Sequence, residues 1–331
     1  MKTKKVLSIF FSLVLVFAIA FTNVSQAMEK SSSYSPAASI KSGDYMYYEK
    51  DGNIYKINVS THKISLVKKI NHLIWDITVK DGWIYCTVDK MGYGGCYDPY
   101  IYKVRTNGSD GKYLKRGYRP KIYSDKIYYI KVKGDPYSNL STVGIYKMSL
   151  SGKSDTCVKK TSTVSDIAVY KSNIYYVNGS SKYYLRKTNL SGSTSKILTS
   201  TYTYNGIDTL RIYSDYIYFN SGNNIYKIKT TSTSKYRVLS NAELKDLSSG
   251  YIYYQTLEFS YYSLYRMNLS SKSKTYFFMA DSFLDVNVSN GYMIYTYHDY
   301  LGNPPENNTF KCFCTTKGNN EVYLGGYYSE Y

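Results

Sequence analysis

The chain has 331 residues, with 42 Lys and Arg against 24 Asp and Glu, for a net charge of +18. Such a field favours anionic partners and makes association sensitive to salt. Five cysteines among 331 residues exclude a disulfide-stapled miniature fold, and three histidines leave little material for zinc or triad chemistry.

Met1–Lys5 holds three lysines, and Val6–Ala20 is a nearly unbroken apolar run. At about 15 residues it falls short of the roughly 20 that a membrane-spanning helix needs. Ser25-Gln26-Ala27 supplies the small-x-small pattern of a signal-peptidase site, so cleavage is expected between Ala27 and Met28. A retained anchor is the alternative. Residues 28–38, with their serines and Pro36, read as a linker, and residues 39–331 as one folded domain. An exported chain of this charge is expected outside the cell or at the cell wall. Its expected partner is an anionic extracellular or wall polymer, a glycan or a protein. Nucleic acid, a cofactor, a metal and an integral membrane anchor are not expected, and the mature chain reads as a monomer.

From Ser39 onward one strand pattern recurs seven times: Met46-Tyr47, Ile84-Tyr85, Ile127-Tyr128, Ile174-Tyr175, Ile217-Tyr218, Ile252-Tyr253 and Ile294-Tyr295. Successive tyrosines are 38, 43, 47, 43, 35 and 42 residues apart. A period near forty with strand content predicts an all-β fold, a single β-propeller of four-stranded antiparallel blades. Seven blades is the expected count, with six as the alternative.

Hairpin turns are predicted at Ser42-Gly43, Asp81-Gly82, Ser124-Asp125, Ser172-Asn173, Ser214-Asp215, Ser249-Gly250 and Asn290-Gly291. These residue types tolerate the positive φ of tight hairpins. A second turn recurs as Asn107-Gly108, Ser151-Gly152 and Ser191-Gly192. Third strands repeat as Ile54-Tyr55-Lys56-Ile57, Ile101-Tyr102-Lys103-Val104, Ile145-Tyr146-Lys147-Met148, Ile225-Tyr226-Lys227-Ile228 and Leu264-Tyr265-Arg266-Met267. Leu185-Arg186-Lys187-Thr188 and Phe310-Lys311-Cys312-Phe313 depart from that pattern. Most of the 44 tyrosines are expected in the core.

The Ile-Tyr-Tyr strand followed by Ile-Tyr-Lys-x-Asn-Leu-Ser-Gly resembles a family of bacterial exported propeller domains, themselves likened to the YWTD propellers of low-density-lipoprotein-receptor-related proteins. The resemblance covers nearly all of residues 40–325. It implies the architecture and no activity. The tryptophan and aspartate of the YWTD signature are missing, as in Tyr128-Tyr129-Ile130-Lys131, so receptor-type ligand binding is not implied.

Cys86 is expected opposite Tyr102, and a Cys86–Cys96 bridge is one possible pairing. Cys312 and Cys314 alternate on one strand, at the limit for a bridge.

Loops joining second and third strands share a face with the links between blades. Their length varies more than the rest of the repeat, which marks that face as the functional surface. The longest are Asp89–Tyr100, Lys131–Gly144 and His298–Asn308. Candidate ligand-binding residues there are Tyr93, Tyr97, Tyr100, Tyr137, Tyr261, Tyr262, Tyr297, His298 and Tyr300, with Lys90, Lys131 and Lys133 beside them. At the channel mouth the candidates are His72, Asp76, Asp166, Asp208, Asp246 and Asp285. His62 belongs to the opposite face. No nucleophile elbow, phosphate loop or zinc spacing appears. The expected function is a non-enzymatic binding module. The alternative is a propeller glycan lyase or hydrolase with acidic residues at the channel mouth.

Overall fold

The structure, a computed structural model, describes residues 39–91, 97–137, 140–202, 206–258, 260–301 and 306–329. The leader, the Ala27–Met28 junction, the linker, Tyr93 and Cys96 lie outside the described residues. Among these residues every regular element is a strand, and every strand pairing is antiparallel.

The protein is a β-propeller. Its innermost strands are Ser39–Ser42, Leu73–Lys80, the second half of Lys112–Tyr123, Val164–Tyr170, Ile207–Tyr213, Ala242–Ser248 and Ser282–Ser289. Each touches the next around a circle, and Ser282–Ser289 returns to Ser39–Ser42. Five blades are separate four-stranded sheets. The second and third are joined into one seven-stranded sheet by Lys112–Tyr123. The start of that strand pairs with Pro99–Arg105 as the outer edge of blade two. Its end pairs with Lys126–Lys133 as the inner edge of blade three. A count of separate sheets gives six, whereas strand roles give seven blades. Among the described residues every blade is one contiguous stretch of chain, so the ring closes by packing, without a strand exchanged between its ends.

Seven apolar clusters lie between adjacent blades, one per interface. The third residue of each second strand faces the following blade: Tyr47, Tyr85, Tyr128, Tyr175, Tyr218 and Tyr253. Its neighbours on both sides face the preceding blade, as with Ile252 and Tyr254. A blade sandwiched on both sides needs apolar residues on both, and each buried ring contributes roughly 1.5–3 kcal/mol.

Polar staples repeat with the same spacing. The lysine of the third strand reaches a carbonyl in the following blade: Lys103 to Leu150 O at 3.3 Å, Lys147 to Leu190 O at 3.2 Å and Lys187 to Thr230 O at 3.2 Å. Arg266 does the same to Thr316 O. Tyr47, Tyr175 and Tyr253 hydrogen-bond Thr106, Thr230 and Thr316 in those same turns. The glycines of Asn107-Gly108 and Ser191-Gly192 have φ of 89° and 78°. A Cβ there would run into the carbonyl oxygens of Val67 and Val158 on the preceding blade. These turns stay glycine because another backbone lies against them.

Several sequence expectations need correction. In blade seven the turn Asn290-Gly291 leads into Tyr292-Met293-Ile294, so Ile294, and not Tyr295, occupies the forward-facing position. Tyr295 faces back toward blade six. The first turn of blade one is Gly43-Asp44 and that of blade four is Lys171-Ser172, each one residue from the predicted pair. Much of the predicted loop length is strand. Tyr292–Leu301 and Glu306–Thr315 form a long hairpin, and Lys126–Lys133 and Ser141–Ser149 narrow the blade-three loop. Cys86 does pair with Tyr102 and is a free, buried thiol, while Cys96, the partner weighed for a bridge, lies outside the described residues. Cys312 and Cys314 are also free, both facing blade six.

The interface that closes the ring differs from the others. Lys311 occupies the position held by Ile54, Ile101 and Leu264 elsewhere, and its ammonium lies 2.8 Å from Glu49 Oε2. It also donates to Glu49 O. Glu49 Oε1 accepts from Gly52 N at 3.0 Å. The two side chains are 1% and 0% exposed.

Candidate functional site

The inner strands enclose a central cavity of about 870 Å³, lined by Trp75, Tyr97, Tyr118 and a belt of charged residues. Several of these charges lie at or next to an irregularity in an inner strand. In blades two, three and five the pairing skips two residues, and Asp76, Arg119 and Thr209 take φ of 59°, 57° and 53° at the skip. Such bulges re-aim side chains that a regular strand would alternate between two faces.

The expected carboxylates are interleaved with cations. Arg119 lies between Asp76 (3.6 Å) and Asp166 (3.4 Å), and Arg211 Nε bonds Asp246 Oδ1 at 2.6 Å. Lys245 bonds Glu243 at 2.8 Å. The carboxylates also stitch blades together. Asp166 Oδ2 accepts from Leu210 N at 3.0 Å, and Asp246 Oδ2 from Val288 N at 2.6 Å. Asp76 works through Thr87, whose hydroxyl donates to Asp76 Oδ2 and accepts from Arg119 N. Between blades five and six Asn220 does this work: it exchanges hydrogen bonds with the Leu244 backbone and donates to Asp208 Oδ1 at 2.8 Å.

These surroundings split the titration behaviour. Burial alone would raise Asp166, but Arg119, Lys121 and the Leu210 amide outweigh it and hold the carboxyl below its usual range. Burial raises Asp208 against the opposing bonds from Asn220 and Thr209. Asp285 is pushed up to about 6, chiefly by burial, with Asn287 and Lys245 pulling the other way. Lys121 is lowered by the same loss of water.

The predicted site residues fall into four groups. Asp76, Asp208 and Asp285 line the cavity, and Asp166 and Asp246 hold its arginines. Tyr97 joins the same mouth, stacked on Trp75 at 5.4 Å and edge-on to Tyr118 at 6.2 Å. On the strand two–three face, Tyr100 lies beneath Lys90, Tyr137 and Tyr261 are exposed, and Tyr262 is half-buried. Tyr297 is an anchor: it packs on Phe310, Phe278 and Tyr295 at 5.2, 5.3 and 6.1 Å. His298 Nδ1 is 2.7 Å from Thr309 Oγ1 across its own hairpin. His72 sits in the link from blade one to blade two, with its backbone N–H donating to Gly52 O. Tyr300 lies on the same hairpin strand, with its side chain outside the described residues. Among the described residues no group of three or more His, Cys, Asp or Glu is arranged to hold a metal.

Sequence reasoning missed Arg119, Lys121, Arg211, Glu243 and Lys245. A signal was available for the first. Counted back nine residues from the forward-facing position of each second strand, Asp76, Arg119, Asp166 and Asp285 share one column. Placing Tyr295 in that position displaces Asp285 from the column and hides the match.

No family model matches the chain, and no curated protein matches it. Solved structures do. A chain of a nidogen/laminin complex superposes with a TM-score of 0.50 at 13% identity, over 70% of this chain and 92% of its own. A prolyl endopeptidase gives 0.62 at 10% identity over 89% of this chain, which spans 50% of the endopeptidase's length. An oligogalacturonate lyase in complex with manganese gives 0.50 at 10% identity, over 67% and 73%. At such identities the likeness is one of fold alone, and the fold it shows is the β-propeller.

Proposed function

We propose that the protein is an exported, non-enzymatic binding module of bacterial type, active outside the cell or at the cell wall. It engages an anionic polymer, glycan or protein through its strand two–three face. The observation that carries this reading is the pairing of cations with aromatic rings on that face. Lys90 Nζ lies 4.0 Å from the Tyr100 ring centre and 4.1 Å from that of Tyr113. Lys182 lies 4.5 Å from the exposed Tyr202 and 5.5 Å from Tyr184, and Arg186 is 4.9 Å from Tyr184. Rings held under cations offer an apolar face to a sugar and a charge to its acid group at one place. Central arginines, by contrast, are largely compensated by the aspartates beside them.

The test is retention on purified anionic wall polymer at low and high salt. Retention should fall as salt rises and should weaken several-fold when Lys90→Ala and Lys182→Ala are combined, since each exposed contact contributes about 0.5–1 kcal/mol. Absence of retention even at low salt refutes the reading.

One observation favours a second reading. A carboxyl near 6 at Asp285, in a cavity with arginine and lysine, suits general acid–base work on a glycan. An oligogalacturonate lyase shares the fold. Release of product from a glycan panel that disappears with Asp285→Asn supports a lyase or hydrolase; no release from any glycan counts against it.

A further inference from the structure

Off the central cavity, between blades five and six, a second pocket of about 510 Å³ opens on the strand two–three face. Its floor is Asp208, Asn220, Glu243 and Gln255, and Leu257 and Tyr262 form the outer wall. None of its lining residues is lysine or arginine.

Most of the polar floor is already engaged. Asn220 spends both donor bonds and its acceptor on Asp208 and Leu244. Gln255 Nε2 donates to Glu243 Oε2 at 2.6 Å, which fixes the orientation of the amide. Glu243 Oε1 takes the Lys245 ammonium at 2.8 Å. Two acceptors are left over. Gln255 is 5% exposed, and its Oε1 is buried without a partner. On Asp208, the bonds from Asn220 and Thr209 both land on Oδ1. A buried acceptor left unmatched destabilises the fold, and a ligand donor would remove that cost. The outer wall is of a different character, with Leu257 61% exposed beside the Tyr262 ring.

We infer that this pocket binds the end of a saccharide chain that carries no acid group. Hydroxyl or amino hydrogens of the sugar donate to Gln255 Oε1 and Asp208, and the apolar face of the ring packs on Tyr262 and Leu257. A carboxylate or sulfate sugar is rejected: it would bring further negative charge beside Asp208, with Glu243 already occupying the nearby Lys245 ammonium and no lysine or arginine in the lining. The inference takes the strand two–three face as the binding face, as proposed above, but needs none of its lysines.

The test is calorimetric titration of the protein with N-acetylglucosamine oligomers, glucosamine oligomers and galacturonic acid oligomers. One of the first two binds and the third does not, and for the uncharged N-acetylglucosamine series the affinity changes little with salt. Gln255→Met, which keeps volume and removes the acceptor, weakens binding about tenfold. Leu257→Asp, on an exposed side chain, weakens it comparably and guards against misfolding of the first variant. Failure of both amino-sugar series to bind, equal binding of the galacturonate series, or an unchanged affinity in both Gln255→Met and Leu257→Asp overturns the proposal. Retention on wall polymer depends on salt and on Lys90, so either reading can fail while the other stands.

Discussion

Replacing Lys311 by methionine tests how the ring is closed. Six blades carry an isoleucine or a leucine where blade seven presents Lys311, and among the described residues only there is a charged pair fully buried. In Lys311→Met the Glu49 carboxylate keeps one bond, from Gly52 N, and the Glu49 carbonyl loses its donor. Breaking a buried pair by deleting one partner costs about 3–5 kcal/mol, a large part of a domain's usual 5–15 kcal/mol. With a urea slope of about 3 kcal/mol per molar, the midpoint should fall by about 1–1.7 M. The double variant Lys311→Met with Glu49→Leu should recover most of that loss, because a matched apolar pair avoids the desolvation penalty. Equilibrium urea unfolding followed by tyrosine and tryptophan fluorescence measures both. A single variant within about 0.5 kcal/mol of wild type, or a double variant no better than the single, would refute the argument that this pair is desolvated and coupled.

The titration of Asp285 predicts an unusual sign for pH dependence. Its folded value, about 6, lies above the ordinary aspartate value of 3.8, so the folded state holds its proton longer than the unfolded chain does. Stability therefore declines as pH rises from about 4 to about 6, and Asp285→Asn should remove that decline. Thermal melts at pH 4 and pH 7 check it: the variant should gain only at the higher pH. The glycine turns give a paired test. Gly291 and Gly192 both have positive φ, 86° and 78°, but open space surrounds the first and Val158 O presses on the second. Gly291→Ala should cost about 1–2 kcal/mol from backbone conformation alone, and Gly192→Ala clearly more. Equal midpoints in denaturant would show that the close approach carries no weight.

Architecture was legible because it is written in what repeats. A blade has two buried faces, so its second strand must present large apolar groups in succession, and that demand returns every forty residues. The four-stranded repeat was legible for the same reason, although two of the sheets merge at Lys112–Tyr123. Register in blade seven was not. Met293, Ile294 and Tyr295 are all suitable for burial, so the residues cannot say which face each takes; distance from the Asn290-Gly291 turn can. The ends of the loops were also misjudged, because a hairpin may extend past the edge of its blade without any change in composition, as at His298–Leu301. The charged belt was half legible. Aspartates were conspicuous, but Arg119 and Arg211 were not, since an arginine in a strand looks like a solvated edge until a bulge turns it inward.

The distribution of polar work between the two faces of the disk argues for where a ligand meets it. On the side of the hairpin turns, Lys103, Lys147, Lys187 and Arg266, with Tyr47, Tyr175 and Tyr253, spend their donors on the next blade. Those groups recur because every interface needs them, and a residue bound by such a need is poorly placed to follow a ligand. On the strand two–three side the corresponding positions differ from blade to blade: Glu49, Thr87, Ile130, Val177, Asn220, Gln255 and, in the seventh, Thr296. Glu49, Thr87 and Asn220 have each been taken up by a neighbour, whereas Gln255 retains a buried acceptor with nothing to receive. Thr296 Oγ1 is likewise buried without a partner, but of the two only Gln255 lines the pocket between blades five and six, where a bound molecule can complete it.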